Sequence, residues 1–583
     1  MNNKKRTLKC NDKNGIQYYI LMLATVTCMI FSGGFNWQYC IIPQTLMIVY
    51  ILFRNKDLNK TCIVFCLLVL ALLISSMATT QGDPRSAVYE TEKMLLLLTA
   101  FLIGTEVKKK YFYTIHFWNA FILALVGVIS YCFKLEIADF VLDIGGLPRL
   151  QSFIQYANTT ACLLGSGYIC FLAIENKKYY MRCFAQMILI GAYLTISKAC
   201  IPIFVLVCTF IAWQNKEERT YIVFQNMIAM VFFLPIAVCA DRGYYLLSAG
   251  ICAICVLTGG IQYKSKYDFF RGWCVVVGIS ALAFVALLIY RPQLLGTFTE
   301  RIIFMKDAGH ATLKNLFGYG AGSWGVLQYK FQSIPYAVTY IHNGWLQILF
   351  ENGILFFICI LLLTLYSIYA FCKTENTIMT ALLVFIAAHS LLDFDFSFPS
   401  VLILFGMLLG IGARNIEIKR MGKVYSRIAF IILVVILCFG NLHMLNEFLV
   451  RNSFENKYKS GNIIEAKKTA LLLEKICPYD AKLQISLAAI YQKQGANNDV
   501  IKKRLENAVA ISPNNPEVYR DYMKYEMYSE DIYAMCEKYI QMCPKQYTML
   551  EFIDAYSTEA YDKGLITESE KNKILSYAQR NIK

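Results

Sequence analysis

The stretch Gly344–Phe371, GWLQILFENGILFFICILLLTLYSIYAF, carries one charged side chain, Glu351, over its whole length. A hydrocarbon layer about 30 Å thick is crossed by about 20 consecutive apolar residues in a helix, so this run by itself predicts a membrane span. Runs of the same kind lie on both sides of it, at 17–32, 37–53, 61–77, 94–107, 113–133, 158–174, 183–196, 199–213, 220–239, 243–260 and 272–290, then at 377–389, 399–413 and 428–445. Several are shorter than a straight crossing wants, so the expected number is about 14–15 transmembrane helices in an all-α, polytopic membrane protein. The first run has no small-residue cleavage site and is followed by further runs, which reads as a span and not a removable signal.

The composition agrees. Of 583 residues, 57% are hydrophobic types and 16% are charged, against roughly a quarter charged in an ordinary soluble domain. A single soluble core stops growing at roughly 250–300 residues. These values exclude disorder, a small disulfide-stapled module and a simple soluble enzyme. The net charge of +16 comes from 56 basic and 40 acidic residues, of which 445–583 hold 20 and 19. The surplus therefore sits in the apolar part, as short clusters between runs, and nucleic acid is not an expected partner. Most of the 21 cysteines fall inside apolar runs, among them Cys28, Cys62, Cys162 and Cys359. They act there as small hydrophobes, and neither a metal site nor a disulfide framework is expected.

Lysine and arginine also orient the chain. With the N-terminus cytoplasmic, alternate short loops collect 25 basic residues, beginning with Lys4, Lys5, Arg6, Lys9 and Lys13, continuing through Arg54, Lys56, Lys108, Lys177, Lys264 and Lys266, and ending with Arg414, Lys419, Arg420, Lys423 and Arg427. The opposing loops hold six: Arg85, Lys93, Lys134, Arg149, Lys198 and Arg242. An odd number of spans puts the C-terminus outside. The expected organisation is a membrane domain at 1–445 with a large outer loop at 291–343, and an extracytoplasmic helical domain at 446–583. In that tail, proline follows apolar helical stretches at Pro478, Pro513 and Pro544. A period near 34 with small residues at helix contacts is the tetratricopeptide pattern, and such a stack offers a concave face to a protein partner or a polymer.

Ionisable groups at the membrane boundary are the informative ones. The loop opens with Thr299-Glu300-Arg301-Ile302-Ile303-Phe304-Met305-Lys306-Asp307-Ala308, which reads as a short helix at the membrane surface. Gly318, Gly320 and Gly322 follow at alternate positions, a pattern that lets backbone approach a ligand and expose amide donors. The loop leaves through His342-Asn343-Gly344-Trp345-Leu346-Gln347, with Glu351-Asn352-Gly353 two turns on. An arginine grips phosphate oxygens in a bidentate fork, and a neutral histidine is suited to take a hydroxyl proton near pH 7. Arg301 and His342 together thus suit transfer from a polyprenyl pyrophosphate sugar; the competing reading makes both ordinary interface side chains. Lys198, Lys93 and Arg149 are further candidates for the donor's phosphates, with Arg242 more simply paired to Asp241. His389 and the Asp393-Phe394-Asp395 triplet close another span. On an outer face, away from nucleotide sugars, this D-x-D reads as a loop brace or donor contact and not as a metal site.

These motifs, with Gln155-Tyr156-Ala157-Asn158-Thr159 and His389–Asp393, resemble the O-antigen ligase and O-antigen polymerase superfamily of membrane glycan transferases, which also includes pilin oligosaccharyltransferases. The likeness runs over about 60–415, and Ser197-Lys198 stands where that family usually has serine–arginine. The resemblance implies a fold like that of lipid-sugar glycosyltransferases in the plasma membrane and inverting, metal-independent transfer from undecaprenyl pyrophosphate. No cofactor is implied beyond the lipid-linked glycan donor. His342 would be the base and Arg301 the pyrophosphate clamp, with Lys198, Lys93 and Arg149 on the donor, and Asn343, Glu351, His389 and Asp393 in support. The acceptor would be a polysaccharide, a glycolipid or a protein. A transporter or flippase of a lipid-linked sugar is the alternative, and a scaffold for other enzymes is a third reading.

Overall fold

The structure, a computed structural model, describes residues 2–54, 60–143, 147–262, 270–275, 277–278, 282, 296–414, 423–526 and 531–582. Most of the expected run at 272–290, the start of the loop at 291–295, and the basic residues Lys56, Lys264, Lys266, Lys419 and Arg420 lie outside the described residues, as do the side chains of the N-terminal lysines up to Lys13. Among the described residues the regular secondary structure is helical apart from one antiparallel pairing of Val141–Leu142 with Arg149–Leu150. Every other expected apolar run coincides with a helix.

Four of these helices are long and apolar enough to cross a membrane: Lys109–Phe133, Arg219–Asp241, Gly344–Lys373 and Arg427–Lys459. The chain is thus an all-α, multi-pass membrane protein. Shorter apolar helices include Cys62–Ala78, Ala157–Leu172, Cys200–Gln214, Thr377–His389 and Pro399–Ala413. The 13 residues of Thr377–His389 rise only about 20 Å, less than a full hydrocarbon layer.

Contacts divide the chain into two units. The first comprises 1–68, 93–299 and 359–438. Inside it, small residues let helix backbones come together, the usual device where lipid supplies no hydrophobic drive between helices. A Cβ on Gly104 would stand 2.3 Å from the Met407 carbonyl oxygen, one on Gly406 2.6 Å from that of Leu97, and one on Gly410 2.1 Å from that of Phe101. Helix Pro399–Ala413 is therefore pressed against 97–104 backbone to backbone. Arg414 then donates to the Thr105 and Gly104 carbonyls at 2.9 and 3.2 Å, satisfying acceptors that a helix end leaves open.

The second unit comprises 69–92, 300–358 and 439–583. Its C-terminal part is a series of short helices from Ile463–Ile476 to Glu568–Ile582. Polar side chains start several of them: Asn462, Asp480, Asn497 and Asp531 each accept from a backbone N–H of the first turn, a cap worth about 1 kcal/mol. The core of this region gathers Met523, Met535, Cys536, Ile540, Met549 and Ile553, all nearly inaccessible. Tyr329, from the segment before the Gly344–Lys373 helix, packs on the same core. Gln546 Nε2 also donates to Gln332 Oε1 at 3.1 Å and to the Tyr336 carbonyl at 2.8 Å. The helical tail and the 300–343 segment are one packed body. The helix expected at 299–308 is longer than its charge pattern suggested, running Gly296–Lys314.

Candidate functional site

In the second unit, His342 is held by its neighbours. Asn343 Oδ1 accepts from Leu346 N at 2.9 Å, capping the Gly344–Lys373 helix. Gln347 reaches back, its Oε1 accepting from Ile341 N at 2.7 Å, and donates onward to Glu351 Oε1 at 2.6 Å. Glu351 also receives Trp324 N at 3.3 Å. Each polar residue flanking His342 in the motif is therefore spent on fixing the turn that presents it. His342 itself is half-buried, with its ring centroid 6.0 Å from that of Phe304. Asn343 Nδ2 approaches Met305 Sδ at 3.6 Å.

These contacts also locate Arg301. Residues three and four apart share a helix face, and Arg301 precedes Phe304 by three and Met305 by four on the Gly296–Lys314 helix. The half-buried Arg301 lies one turn from the side chains that meet His342 and Asn343. One turn further along, Asp307 accepts from Ser333 N at 2.7 Å, Ser333 Oγ at 3.0 Å and the Tyr336 hydroxyl at 3.1 Å. Burial and the Asp307 carboxylate push the Tyr336 hydroxyl well above its ordinary pKa. The Tyr336 ring packs at a tilt against Phe304, centroids 4.5 Å apart, so Asp307 ties the loop to the helix that carries Arg301.

The glycine segment does something other than the sequence suggested. Gly318, Gly320 and Gly322 have φ of +90, +94 and +64°, but their surroundings are backbone. A Cβ on Gly318 would stand 2.6 Å from Gly353 N, and one on Gly320 2.1 Å from Thr80 Cα. Tyr319 N and Gly320 N donate to the Phe350 and Glu351 carbonyls at 2.8 and 3.0 Å, Ala321 N to that of Ser76 at 3.2 Å, and Ile354 N returns to Leu316 O at 2.8 Å. Gly353 sits at φ +77° within its helix, and Ser76 Oγ donates to the Glu351 carbonyl at 3.1 Å. The amides expected to face a ligand instead weld the loop to the bend at Gly353.

The first unit contains a separate buried polar network. Asp393, fully buried, accepts from the Tyr156 hydroxyl at 2.9 Å and Asn158 Nδ2 at 2.6 Å. Asn158 Oδ1 in turn receives Arg149 Nη2 and Ser197 Oγ, both at 2.9 Å, and Arg149 Nε donates to the Thr195 carbonyl at 2.9 Å. Asp395 takes Thr159 Oγ1 at 2.9 Å and faces His389 Nδ1 at 2.5 Å. Two stretches far apart in sequence, 149–159 and 389–395, are thereby joined directly, and Arg149 and Asn158 also hold the 195–197 turn. Lys198 emerges exposed from that turn, where Ile196 adopts a left-handed φ of +48°. Lys93 is buried, its Nζ 5.1 Å from the centre of the Phe35 ring.

Among the described residues, Cys162, His389 and Asp395 come close enough to share a metal ion, as do His443, Glu447 and Cys477. In the first trio both Asp395 oxygens already meet Thr159, His389 and Ser390. Sequence reasoning missed several groups of the second unit. The Tyr340 hydroxyl donates to Glu90 at 2.6 Å. Arg85, Tyr89, Glu447, Arg451 and Asp480 form one buried charge cluster. The i,i+4 spacings Arg85/Tyr89 and Glu447/Arg451 were the available signal for that cluster. The Cys-x-x-Cys spacing at Cys252 and Cys255 was also passed over; both are buried in the Tyr245–Gly259 helix. No protein-family model matches the chain, and no curated protein matches it.

Proposed function

We propose that the protein is an extracytoplasmic glycan transferase of the O-antigen ligase or polymerase kind, with undecaprenyl pyrophosphate as the carrier of the donor glycan. The observation that carries the reading is the turn at His342. Asn343, Gln347 and Glu351 all fix it, while the helix packed beside it carries Arg301 one turn before Phe304 and Met305, the side chains that meet His342 and Asn343. An imidazole on a rigid support next to a guanidinium is what the reaction asks for. The acceptor hydroxyl oxygen attacks the anomeric carbon, its proton passes to His342, and the bond from that carbon to the pyrophosphate oxygen breaks with inversion. Arg301 takes up the charge developing on the leaving pyrophosphate, the task a divalent metal would otherwise perform. Lys198, Lys93 and Arg149, in the first unit, are the further candidates for the donor's phosphates; Lys198 is exposed on a turn held by Arg149 and Asn158 of the Asp393 network.

The finer architecture belongs to the same proposal: about 14–15 crossings, a fold like that of lipid-sugar glycosyltransferases, a cytoplasmic N-terminus and an extracytoplasmic, tetratricopeptide-like tail. Its packing with the 300–343 segment suits a tail that steers a polysaccharide, glycolipid or protein acceptor. Purified protein given a lipid-linked glycan tests the reading. His342→Ala and Arg301→Ala are each expected to lower transfer by about 10²–10⁴-fold, with Arg301→Lys between them and the native protein. Full transfer by both alanine variants overturns the assignment.

One observation favours a second reading, transport of a lipid-linked sugar. His116, Asn119, Ser166 and Ser400 line one internal cavity of the first unit, and His116 Nε2, Asn119 Oδ1, Ser166 Oγ and Ser400 Oγ are buried with no hydrogen-bond partner among the described residues. Polar groups inside a bundle commonly mark a solute or proton path. Movement of labelled lipid-linked sugar across reconstituted vesicles without a covalent product would select transport.

A further inference from the structure

His443 and Glu447 are one turn apart on the Lys423–Lys459 helix, on the same face, and Cys477 closes the end of the next helix, Ile463–Ile476. A ligand atom from each of the three lies within 4.8 Å of the others. Glu447 is fully buried, and its two oxygens are treated differently. Oε1 receives the Tyr89 hydroxyl and Arg451, the latter at 2.7 Å through Nη2, with Arg85 Nε at 3.7 Å. Oε2 is buried with no hydrogen-bond partner among the described residues. A carboxylate oxygen in that position carries a desolvation cost that a bound cation would offset. His443 Nε2 lies 2.7 Å from the Tyr479 hydroxyl, a bond that fixes the orientation of the ring.

We propose that His443, Glu447 and Cys477 form a binding site for a divalent ion of the zinc class. Imidazole, carboxylate and thiolate are zinc's ordinary ligands, and three of them with an open fourth position make the common incomplete tetrahedron. Bonds of about 2.0–2.3 Å in that geometry set ligand atoms roughly 3.3–3.8 Å apart, so atoms within 4.8 Å of one another need to close by at most about 1.5 Å. The guanidiniums engage Oε1 and leave Oε2 to the ion. Their two positive charges are matched by Glu447 and Asp480, and the Cys477 thiolate adds a negative charge when the ion binds. A thiol is ordinarily protonated at neutral pH, so on binding the S–H bond breaks, the metal–sulfur bond forms, and one proton leaves per ion. Half-buried His443 gives the ion its route in. The site stands at the junction of the last apolar helix and the helical tail, independent of the glycan-transfer reading.

The test uses the full-length protein in detergent, stripped with a chelator and titrated with Zn²⁺ against a chromogenic competitor, then with Co²⁺ to read the thiolate-to-metal absorption band. The native protein is expected to take up one ion with release of one proton and to show that band. Cys477→Ser and His443→Ala are each expected to weaken binding by at least about 100-fold, with Cys477→Ser abolishing the band, while Cys536→Ser, in the core of the tail, leaves both unchanged. Glu447 is left in place because its arginine partners depend on it. If the native protein takes up no zinc, or if both His443→Ala and Cys477→Ser keep native stoichiometry and affinity, the site is a thiol–carboxylate contact and the proposal fails.

Discussion

Replacing Arg451 by methionine should expose the charge balance beneath the helical tail. Arg451 Nη2 bridges Glu447 Oε1 at 2.7 Å and Asp480 Oδ2 at 2.8 Å. Both carboxylates are almost inaccessible. With Arg451 gone they share Arg85, which lies 3.7 Å from Glu447 and 3.5 Å from Asp480. Two buried negative charges then face one positive charge. Removing one partner of a buried pair costs about 3–5 kcal/mol. The second unit has about 230 residues, a size at which 1 kcal/mol moves a melting temperature by about 2–4 °C, so the expected fall is about 6–20 °C. Asp480 makes the damage spread, because its other oxygen caps the Ala481–Lys493 helix through Leu483 N at 3.0 Å. Adding Glu447→Gln should restore part of the loss, since Arg85 and Asp480 then balance. The measurement is a four-protein cycle of melting temperatures in one detergent. A double variant that melts as low as the sum of the two single losses, or an Arg451→Met protein within about 2 °C of native, would refute the reasoning.

Substitutions at four other positions probe the remaining contacts. Gly320→Ala puts a Cβ 2.1 Å from Thr80 Cα at a φ of +94°, and should abolish the monodisperse peak in size-exclusion chromatography; Gly309→Ala meets nothing within 4 Å and should match or exceed native stability by up to about 1 kcal/mol. Asp393→Ala deprives Tyr156 and Asn158 of their buried acceptor; at about 1–3 kcal/mol per stranded group, a fall of several degrees in melting temperature is expected, with Asp393→Asn milder. Asn343→Ala removes the cap at Leu346 N, worth about 1 kcal/mol, and should cost more in transfer rate than in melting temperature if it positions His342.

Apolar helices were legible because each is written in contiguous sequence. The run at 344–371 appears as Gly344–Lys373 and that at 220–239 as Arg219–Asp241, the latter surviving Pro235 in its interior. What spacing could not give was how these helices meet. Gly104, Gly406 and Gly410 are unremarkable within their own runs. Only their contacts with Met407, Leu97 and Phe101 reveal backbones in direct touch, and those partners are some 300 residues away along the chain. The end of the helix at Lys314, beyond Ala308, was likewise hidden, because Asn315 and Gly318, which stop it, look from the sequence like the start of a ligand-facing loop.

The candidate site divides along the same line. Local grammar picked out His342 and Arg301 as chemically apt, and it picked out Asn343, Gln347 and Glu351 as their company. It assigned the glycines wrongly because a positive φ is equally compatible with cradling a ligand and with packing on a neighbouring backbone. The choice depended on Thr80, Ser76 and Gly353, which no motif connects to Gly320. The D-x-D triplet shows the opposite case. Asp393 and Asp395 resemble metal ligands in isolation, but Tyr156, Asn158 and Thr159, some 235 residues earlier, donate to them. Each member of that pairing is visible in the sequence as a polar stretch at the end of an apolar run. Buried carboxylates need donors, and buried amides and hydroxyls need acceptors. Donor and acceptor need is legible at each helix end, but only the folded contacts select 149–159 as the partner of 389–395 among the chain's many polar helix ends.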